Sequence, residues 1–159
     1  MEARKRVIDV QILGVEAAQR QLFRGAAAAG DMEPALDEVA DDMMRIVEIN
    51  FTSQGHRGGG SWKVLTPRWI ARKAKKGLDP RILFANHHLY KSMTERGDPG
   101  MDLEIDDHHV HLSSQVEYAE AHNWGNDHVP ARPFAYFLPQ DRDRWVKICE
   151  SHLIRAMQP

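Results

Sequence analysis

The chain has 159 residues, of which 42% are hydrophobic and 28% charged, and its formal net charge is −2. These values are ordinary for a globular protein, and we expect a single domain over residues 1–159. The small net charge gives no global attraction to nucleic acid or to a membrane surface. No apolar run approaches the ~18 residues that span a bilayer, and the N-terminus lacks the apolar core of a secretory signal. The single cysteine, Cys149, excludes an intramolecular disulfide.

The first third of the chain predicts a strand and two helices. Residues 7–13 alternate apolar and polar side chains, which is typical of a strand. Residues 15–29 are rich in alanine and suit a helix that stops at a glycine. Residues 31–51 form the clearest helical pattern, because apolar side chains recur at helical spacing after a start marked by Asp31 and Pro34.

A glycine-rich loop over residues 52–65 is followed by a short helix over residues 67–76, with Thr66 as its expected N-cap. Residues 57–81, which we call the basic segment, contain eight basic residues and one acidic residue, a local charge of +7. The rest of the chain carries 13 basic and 22 acidic residues, a local charge of −9. We expect residues 52–81 to form a mobile insertion that docks on another copy, on an acidic partner or on phosphate.

The remaining sequence predicts a small antiparallel meander and a last helix. Residues 91–96 are expected to be a strand, and residues 101–114 are expected to be a hairpin that turns at two aspartates. Residues 116–125 suit a short helix or turn, and residues 141–157 a longer helix. The predicted fold is therefore α+β, with a small antiparallel sheet packed against long N-terminal and C-terminal helices and an extended flexible loop rich in glycine and basic residues.

The chemically active side chains do not converge on a catalytic pattern. His109 and His111 share a face of a predicted strand, but no acid and histidine pair here has a familiar metal-site spacing. Cys149 lies on the apolar face of the last helix, where a buried and inert thiol is expected. The sequence therefore predicts no enzyme activity, no metal site and no cofactor.

Three interpretations of the basic segment stay open. Its cations could bind a nucleic-acid backbone while Trp62 and Trp69 stack on bases. It could instead be a solvated helix with both tryptophans packed beneath it. It could also be a loop that becomes ordered when it meets an acidic protein surface.

Several stretches together resemble the tail-completion and neck proteins of tailed bacteriophages, meaning the phage virion morphogenesis family and the related minor tail components of long-tailed phages. Tyr118, Ala119, His122 and Gly125 match the family pattern, and so do residues 130–134. The matching stretches are "LGVEAAQRQL", "GSWKVLTPRWIARKAKKG", "RILFANHHLYKSM", "VEYAEAHNWG" and "VPARPFAYF". The chain departs from the family at "NHHL", where Thr-Gly usually precedes the leucine, and at "FAYF", where Phe-Leu often follows Arg-Pro.

The resemblance implies a structural virion protein of the tail or neck that is assembled in the host cytoplasm. Such a protein would form a ring of six copies between the head connector or stopper protein and the tail terminator or tail-tube protein. Genomic DNA would pass through its lumen without sequence-specific binding, and no membrane would be involved. The alternative function is a nucleic-acid-binding module that uses the basic segment.

The expected partner interface combines the basic segment with residues 130–137, which we call the proline corner. Pro130 and Pro133 restrict the backbone around Arg132, whose planar guanidinium suits carbonyl or carboxylate partners. His122 and His128 are expected to be packing residues or bystanders. The residues predicted to contact partners are Arg132, Pro133, Phe134, Tyr136, Phe137, Trp124, Trp62, Arg68, Arg72, Lys73, Lys75 and Lys76.

Overall fold

The structure is a computed structural model that describes residues 10–11, 31–58 and 60–156. In chain order the elements of these ranges are β1 (Val10–Gln11), α1 (Glu33–Thr52), a 3-10 turn (His56–Gly58), α2 (Pro67–Lys75), α3 (His88–Thr94), β2 (Met101–Ile105), β3 (Val110–Ser114), α4 (Ala119–Trp124) and α5 (Pro139–Ala156). The predicted strand at residues 7–13 is described only at β1, and the predicted helix at residues 15–29 lies outside the described residues.

Helix α1 is the central element of the described fold, as its long apolar stripe predicts. Its start is supported by Asp31, whose carboxylate accepts the backbone N–H of Glu33 at 3.2 Å, and by Pro34 in the first turn. Its buried residues are Ala35, Leu36, Val39, Ala40, Met43, Met44, Ile46, Val47, Asn50 and Phe51. Burial on more than one side of the helix allows α1 to pack against α3, α5 and the sheet.

The sheet is antiparallel with the strand order β1-β3-β2. The predicted hairpin is confirmed, since β2 and β3 pair in a register that places Leu103 opposite Leu112. Its turn is fixed by Asp106, whose carboxylate accepts the backbone N–H groups of His108 and His109 at 2.7 and 2.9 Å. Leu112 lies on the face of the central strand, β3, that packs on the core, and its side chain is fully buried.

The prediction of a strand at residues 91–96 is wrong, because helix α3 occupies His88–Thr94. Leu89 and Met93 are four residues apart, so they share one helical face, and both are buried. Lys91 and Glu95 are also four residues apart and form an ion pair at 3.3 Å. Tertiary packing of the Leu89 face on α1 decides the conformation of this short segment.

An aromatic cluster around Phe51 joins the end of α1 to four other parts of the chain. The ring of Phe51 lies 5.0 to 5.9 Å, centroid to centroid, from the rings of Phe134, Tyr90, Trp62 and Phe84. Most of these contacts are edge-to-face, the arrangement that aromatic quadrupoles favour. The glycine-rich loop, the turn before α3, α3 itself and the proline corner therefore meet in one core.

The C-terminal helix α5 is held on α1 by polar as well as apolar contacts. Asp42 of α1 accepts a hydrogen bond from the indole Nε1 of Trp145 at 2.8 Å and from the guanidinium of Arg144 at 2.6 Å. Trp145, Cys149 and Leu153 are buried on the same face of α5. The α+β prediction is thus confirmed, because a small antiparallel sheet packs on the long helix α1, which also packs against α5. None of the helices in the described ranges has the length and apolarity that a bilayer-spanning segment needs.

Candidate protein interaction site

Two buried asparagines hold the backbone of the proline corner. Asn50, near the end of α1, donates from its amide nitrogen to the carbonyl oxygens of Phe134 at 2.8 Å and Tyr136 at 3.1 Å. Asn123 of α4 accepts, at its amide oxygen, the N–H groups of Phe134 at 3.0 Å and Ala135 at 3.1 Å. Both asparagines are fully buried. The proline corner is neither helical nor part of a sheet, so its main-chain groups need side-chain partners. The two asparagines hydrogen-bond four of these groups and thereby fix the shape of the corner.

The close approach of the corner to α4 depends on Gly125. This residue ends α4 with a φ of 76°, a left-handed conformation that side chains rarely adopt. A Cβ atom added at Gly125 would lie 2.7 Å from the backbone nitrogen of Ala131. Glycine is therefore required at this position for the chain to return across the end of the helix.

Arg132 and Trp62 join the corner to the glycine-rich loop within one subunit. Arg132 donates from Nε and Nη2 to the carbonyl oxygen of Lys63 at 3.2 and 3.1 Å, and Trp62 donates from Nε1 to the carbonyl oxygen of Pro133 at 3.0 Å. Only 6% of the Arg132 surface is exposed. Burial lowers the pKa of this guanidinium, which nonetheless stays cationic. Arg132 thus lies beneath the loop and does not project from the corner.

Helix α2 of the basic segment buries a cationic side chain and leaves its large apolar side chains exposed. Its N-cap is Thr66, as predicted, whose hydroxyl accepts the N–H of Trp69 at 3.4 Å. The buried residue is a cation, Lys73, which donates from Nζ to the carbonyl oxygens of Asp79 at 2.9 Å and Arg81 at 2.5 Å. Burial lowers the pKa of Lys73, and nearby Arg132 lowers it further, while Asp79 opposes both effects. One buried lysine therefore fixes the helix to the turn that follows it.

The outer face of α2 carries both positive charge and apolar surface. The four other cations near the helix, Arg68, Arg72, Lys75 and Lys76, are exposed. Trp69 is also half exposed, at 51%, and the Arg72 guanidinium lies 4.9 Å from the centroid of its indole ring. Ile70 has the same exposed fraction. Exposed apolar side chains grouped with charges are typical of a surface that binds another molecule.

A cleft of about 460 Å³ separates the basic segment from the proline corner. One wall is formed by residues 63–66 and α2, and the other by His122 and residues 128–132, with residues 82–85 between them. Among its lining residues are three cations and no carboxylate, and most of the others are apolar. Burial lowers the pKa of His122, and the charge of Arg132 lowers it further, so this imidazole is neutral near pH 7.

The 3-10 turn at the start of the basic segment is tied to the start of α5 by Arg57. Asp141 is fully buried and accepts hydrogen bonds from the Arg57 guanidinium and from the backbone N–H of Leu138 at 2.7 Å. Leu138 is the residue immediately before α5. Its N–H donates to the side chain of Asp141 in the first turn, which is one half of a capping box. The glycine-rich loop is thereby anchored at both of its ends.

We expect the subunit to lose stability between about pH 4 and about pH 2. Burial alone would raise the pKa of Asp42 and Asp141, but hydrogen bonds from arginines outweigh it and lower both values. Hydrogen bonds from Arg81 lower the pKa of Asp79 to about 2. A carboxylate with a lowered pKa in the folded state stabilises the fold above its unfolded pKa of about 3.9 and stops doing so once it is protonated.

Denaturant unfolding at a series of pH values measures this effect. The free energy of unfolding should fall as the pH drops below about 4, because the unfolded chain then binds more protons. Asp141→Asn should show a shallower acid dependence than the wild type. An unfolding free energy that is constant from neutral pH down to the folded pKa of Asp79 would contradict the assignment.

The histidines contribute polar contacts at several separate places. Within the part of the chain that the structure describes, no group of three or more His, Cys, Asp and Glu side chains could hold a metal ion. His109 lies 2.9 Å from the carboxylate of Asp106, and His87 lies 3.3 Å from that of Asp79. His122 and His128 face the cleft.

The predicted contact residues divide by exposure. Arg132, Phe134, Trp62 and Lys73 are buried and used inside the subunit, whereas Tyr136 and Phe137 are half-buried. The exposed members are Pro133, Trp124, Arg68, Arg72, Lys75 and Lys76. The structure brings the basic segment and the corner together around one cleft, and their role in binding a partner stays a prediction.

Comparison with known proteins gives one match. The model of the phage virion morphogenesis family matches residues 13–154, which is most of the chain. Neither the curated proteins nor the solved structures that were searched contain a significant match. The chain belongs to the phage virion morphogenesis family.

Proposed function

We propose that this protein is a structural subunit of the phage head-to-tail interface that forms a ring of six copies and joins the head connector to the tail tube. Family membership supports a role in building the virion. The uneven charge supports self-association, because the exposed cations of the basic segment can attract the rest of a second copy, whose formal charge is −9. Contacts between two different surfaces of identical subunits close into a ring when the rotation between them allows it.

The observation that carries the proposal is the exposed cationic and apolar face of α2. The helix is fixed from below by Lys73 and has no buried apolar residue of its own. Ile70 and the cations Arg68, Arg72, Lys75 and Lys76 are exposed on this helix, and Trp69 is half exposed where it lines the cleft. This arrangement suits an acidic protein surface on a neighbouring copy or an adjoining ring.

Reversing the outward charges of the basic segment should abolish assembly and leave the fold intact. In the triple variant Arg72→Glu, Lys75→Glu and Lys76→Glu, exposed side chains at the end of α2 change, so the free energy of unfolding should fall by no more than about 1 kcal/mol per site. Particles produced by a phage that carries only this variant should contain separate heads and tails. Infectious titre and electron microscopy of the particles measure this outcome.

A matched control changes the net charge equally elsewhere. Arg142, Lys147 and Arg155 are exposed on α5, and reversing all three should preserve the joined particles. If both triple variants join heads to tails as the wild type does, the basic segment is not the contact surface.

Nucleic-acid binding is the second candidate function, and the exposed Trp69 beside Arg72 is the observation that favours it. Duplex and single-stranded DNA would then shift in a gel at about 50 mM salt, with a strong salt dependence. The same triple reversal would remove the shift. DNA binding by the wild type, with joined particles from both triple variants, would replace the assembly proposal by this one.

A further inference from the structure

The surfaces of this chain that expose large apolar side chains differ in charge. One is the basic segment, with Val64, Trp69 and Ile70 exposed at 77%, 51% and 51%. Another is residues 115–131, which contain three acidic residues and no lysine or arginine, and which expose Tyr118 at 43% and Trp124 at 66%. Exposed aromatic side chains flanked by opposite charges are typical of the two halves of a protein interface.

Trp124 projects from the side of α4 that faces away from the core. Ala119 and Asn123 are buried and mark the inner face of this short helix. Glu120 is four residues before Trp124, so these two side chains share a face. His122 lines the cleft, and Trp124, two residues later, is rotated by about 200° around the helix axis. Trp124 therefore cannot occupy the cleft of its own subunit.

The cleft has the chemistry that an indole beside a carboxylate requires. Its volume of about 460 Å³ exceeds that of one indole side chain. Apolar walls from Val64, Leu65 and Val129 suit the ring, while Lys63, Lys73 and Arg132 supply positive charge without a lining carboxylate. Within the described part of the chain, Arg132 donates to a carbonyl oxygen and forms no ion pair with a carboxylate.

The backbone beneath the cleft is strained in a way that points to binding. Leu83 and Ala85, which line the cleft, have φ angles of 64° and 22°. Such conformations are unfavourable for a residue that carries a side chain. Strained residues of this kind persist where the surrounding structure fixes them, and they concentrate at functional sites.

We propose that Trp124 of one copy inserts into this cleft on the next copy, with Glu120 facing Lys63, the exposed cation of the cleft lining. The inference rests on the proposed ring, and it names the contact between neighbouring subunits. A protein occupant fits better than a nucleic acid, because two of the three lining cations, Lys73 and Arg132, are recessed, at 8% and 6% exposure, and already donate to carbonyl oxygens, so that Lys63 alone of the three is open to a phosphate. Phosphate contacts are made by exposed cations.

Photo-crosslinking within the assembled protein tests the contact. A photoreactive phenylalanine at position 124 of the complete chain is activated in an oligomer made from equal amounts of ¹⁴N- and ¹⁵N-labelled copies. We expect crosslinks between the two labels that map to residues 63–69 or 128–130. Crosslinks that map to another surface of a neighbouring copy, or to DNA, would overturn the proposed contact while leaving the ring itself standing.

Trp124→Ala supplies the second readout. A central aromatic side chain of an interface contributes enough binding energy that its loss should raise the dissociation constant of the oligomer about 30-fold or more. Ile154→Ala is the matched control, since Ile154 is an apolar residue exposed at 54% on α5, and its dissociation constant should stay within about threefold of the wild type. Equal assembly of the wild type and Trp124→Ala refutes the contact. A wild-type chain that never self-associates, alone or with connector and tail-tube proteins, refutes the ring and the contact together.

Discussion

Phe51→Ala is expected to lower the free energy of unfolding by about 3–5 kcal/mol, the usual cost of removing a buried aromatic ring. Phe51 is fully buried, and its ring contacts four other aromatic rings from different parts of the chain. Its neighbours cannot all move inward, because Trp62 and Phe134 are also held through the hydrogen bonds of the loop and the corner. A cavity should therefore remain.

Chemical denaturation followed by tryptophan fluorescence measures this loss. A small domain has about 5–15 kcal/mol of stability in total, so the variant should unfold at a much lower denaturant concentration. Ile154→Ala, at an exposed site, should differ from the wild type by less than about 0.5 kcal/mol. A Phe51→Ala variant as stable as this control would show that the aromatic cluster is not the centre of the core.

Asn50→Ala is expected to cost about 2–4 kcal/mol, because it leaves two buried carbonyl oxygens of the proline corner without donors. The corner should loosen as well, which exposes the Arg132 contact with the loop to solvent. Hydrogen exchange at residues 131–137 measures the loosening, and denaturant unfolding measures the stability.

Asn123→Ala, which removes the acceptor for two N–H groups, tests the same segment from the other side. Since both asparagines hold Phe134, the double variant should lose less stability than the two single losses added together. Additive losses, or an Asn50→Ala variant within about 0.5 kcal/mol of the wild type, would mean that the corner is fixed by other contacts. Thr52→Ala, which loses an exposed hydroxyl bond to the carbonyl of Glu48, serves as the control.

Strong periodicity made the long elements predictable. The apolar stripes of α1 and α5 repeat over many residues, and the β2–β3 hairpin alternates around an Asp-Asp turn. The segment at α3 was too short for its pattern to decide between helix and strand, and its packing against α1 decided it. His87 immediately precedes that helix with a left-handed φ of 65°, a conformation that the residue type did not signal.

The candidate site was predicted less fully, because sequence does not show where a polar side chain finds its partner. The prolines correctly marked the corner, but Arg132 and Trp62 point inward to carbonyl oxygens and not outward. The roles of Asn50 and Asn123 were missed. Asn50 did carry a signal, since it is a polar residue on the apolar stripe of α1 and must therefore bind something in the core.

Arg132, Phe134 and Trp62 belong to stretches that match the family pattern, and all three are buried inside the subunit. These residues shape the subunit, and within the described residues the surfaces that we propose for partners are the exposed side of α2 and the side of α4 that carries Trp124. A motif can be required for assembly because it holds a cleft open, without touching the partner itself. The proposed function depends on the exposed cations of α2, and the inferred contact between neighbouring copies depends on that cleft.

The most direct test of the assembly proposal is the native mass of the purified protein at micromolar concentration, alone and with head connector and tail-tube proteins. We expect one discrete closed oligomer of about six copies, from the proposed ring symmetry, and its loss in the variant with Arg72, Lys75 and Lys76 reversed to glutamate. A wild-type chain that stays monomeric under all of these conditions would contradict the account.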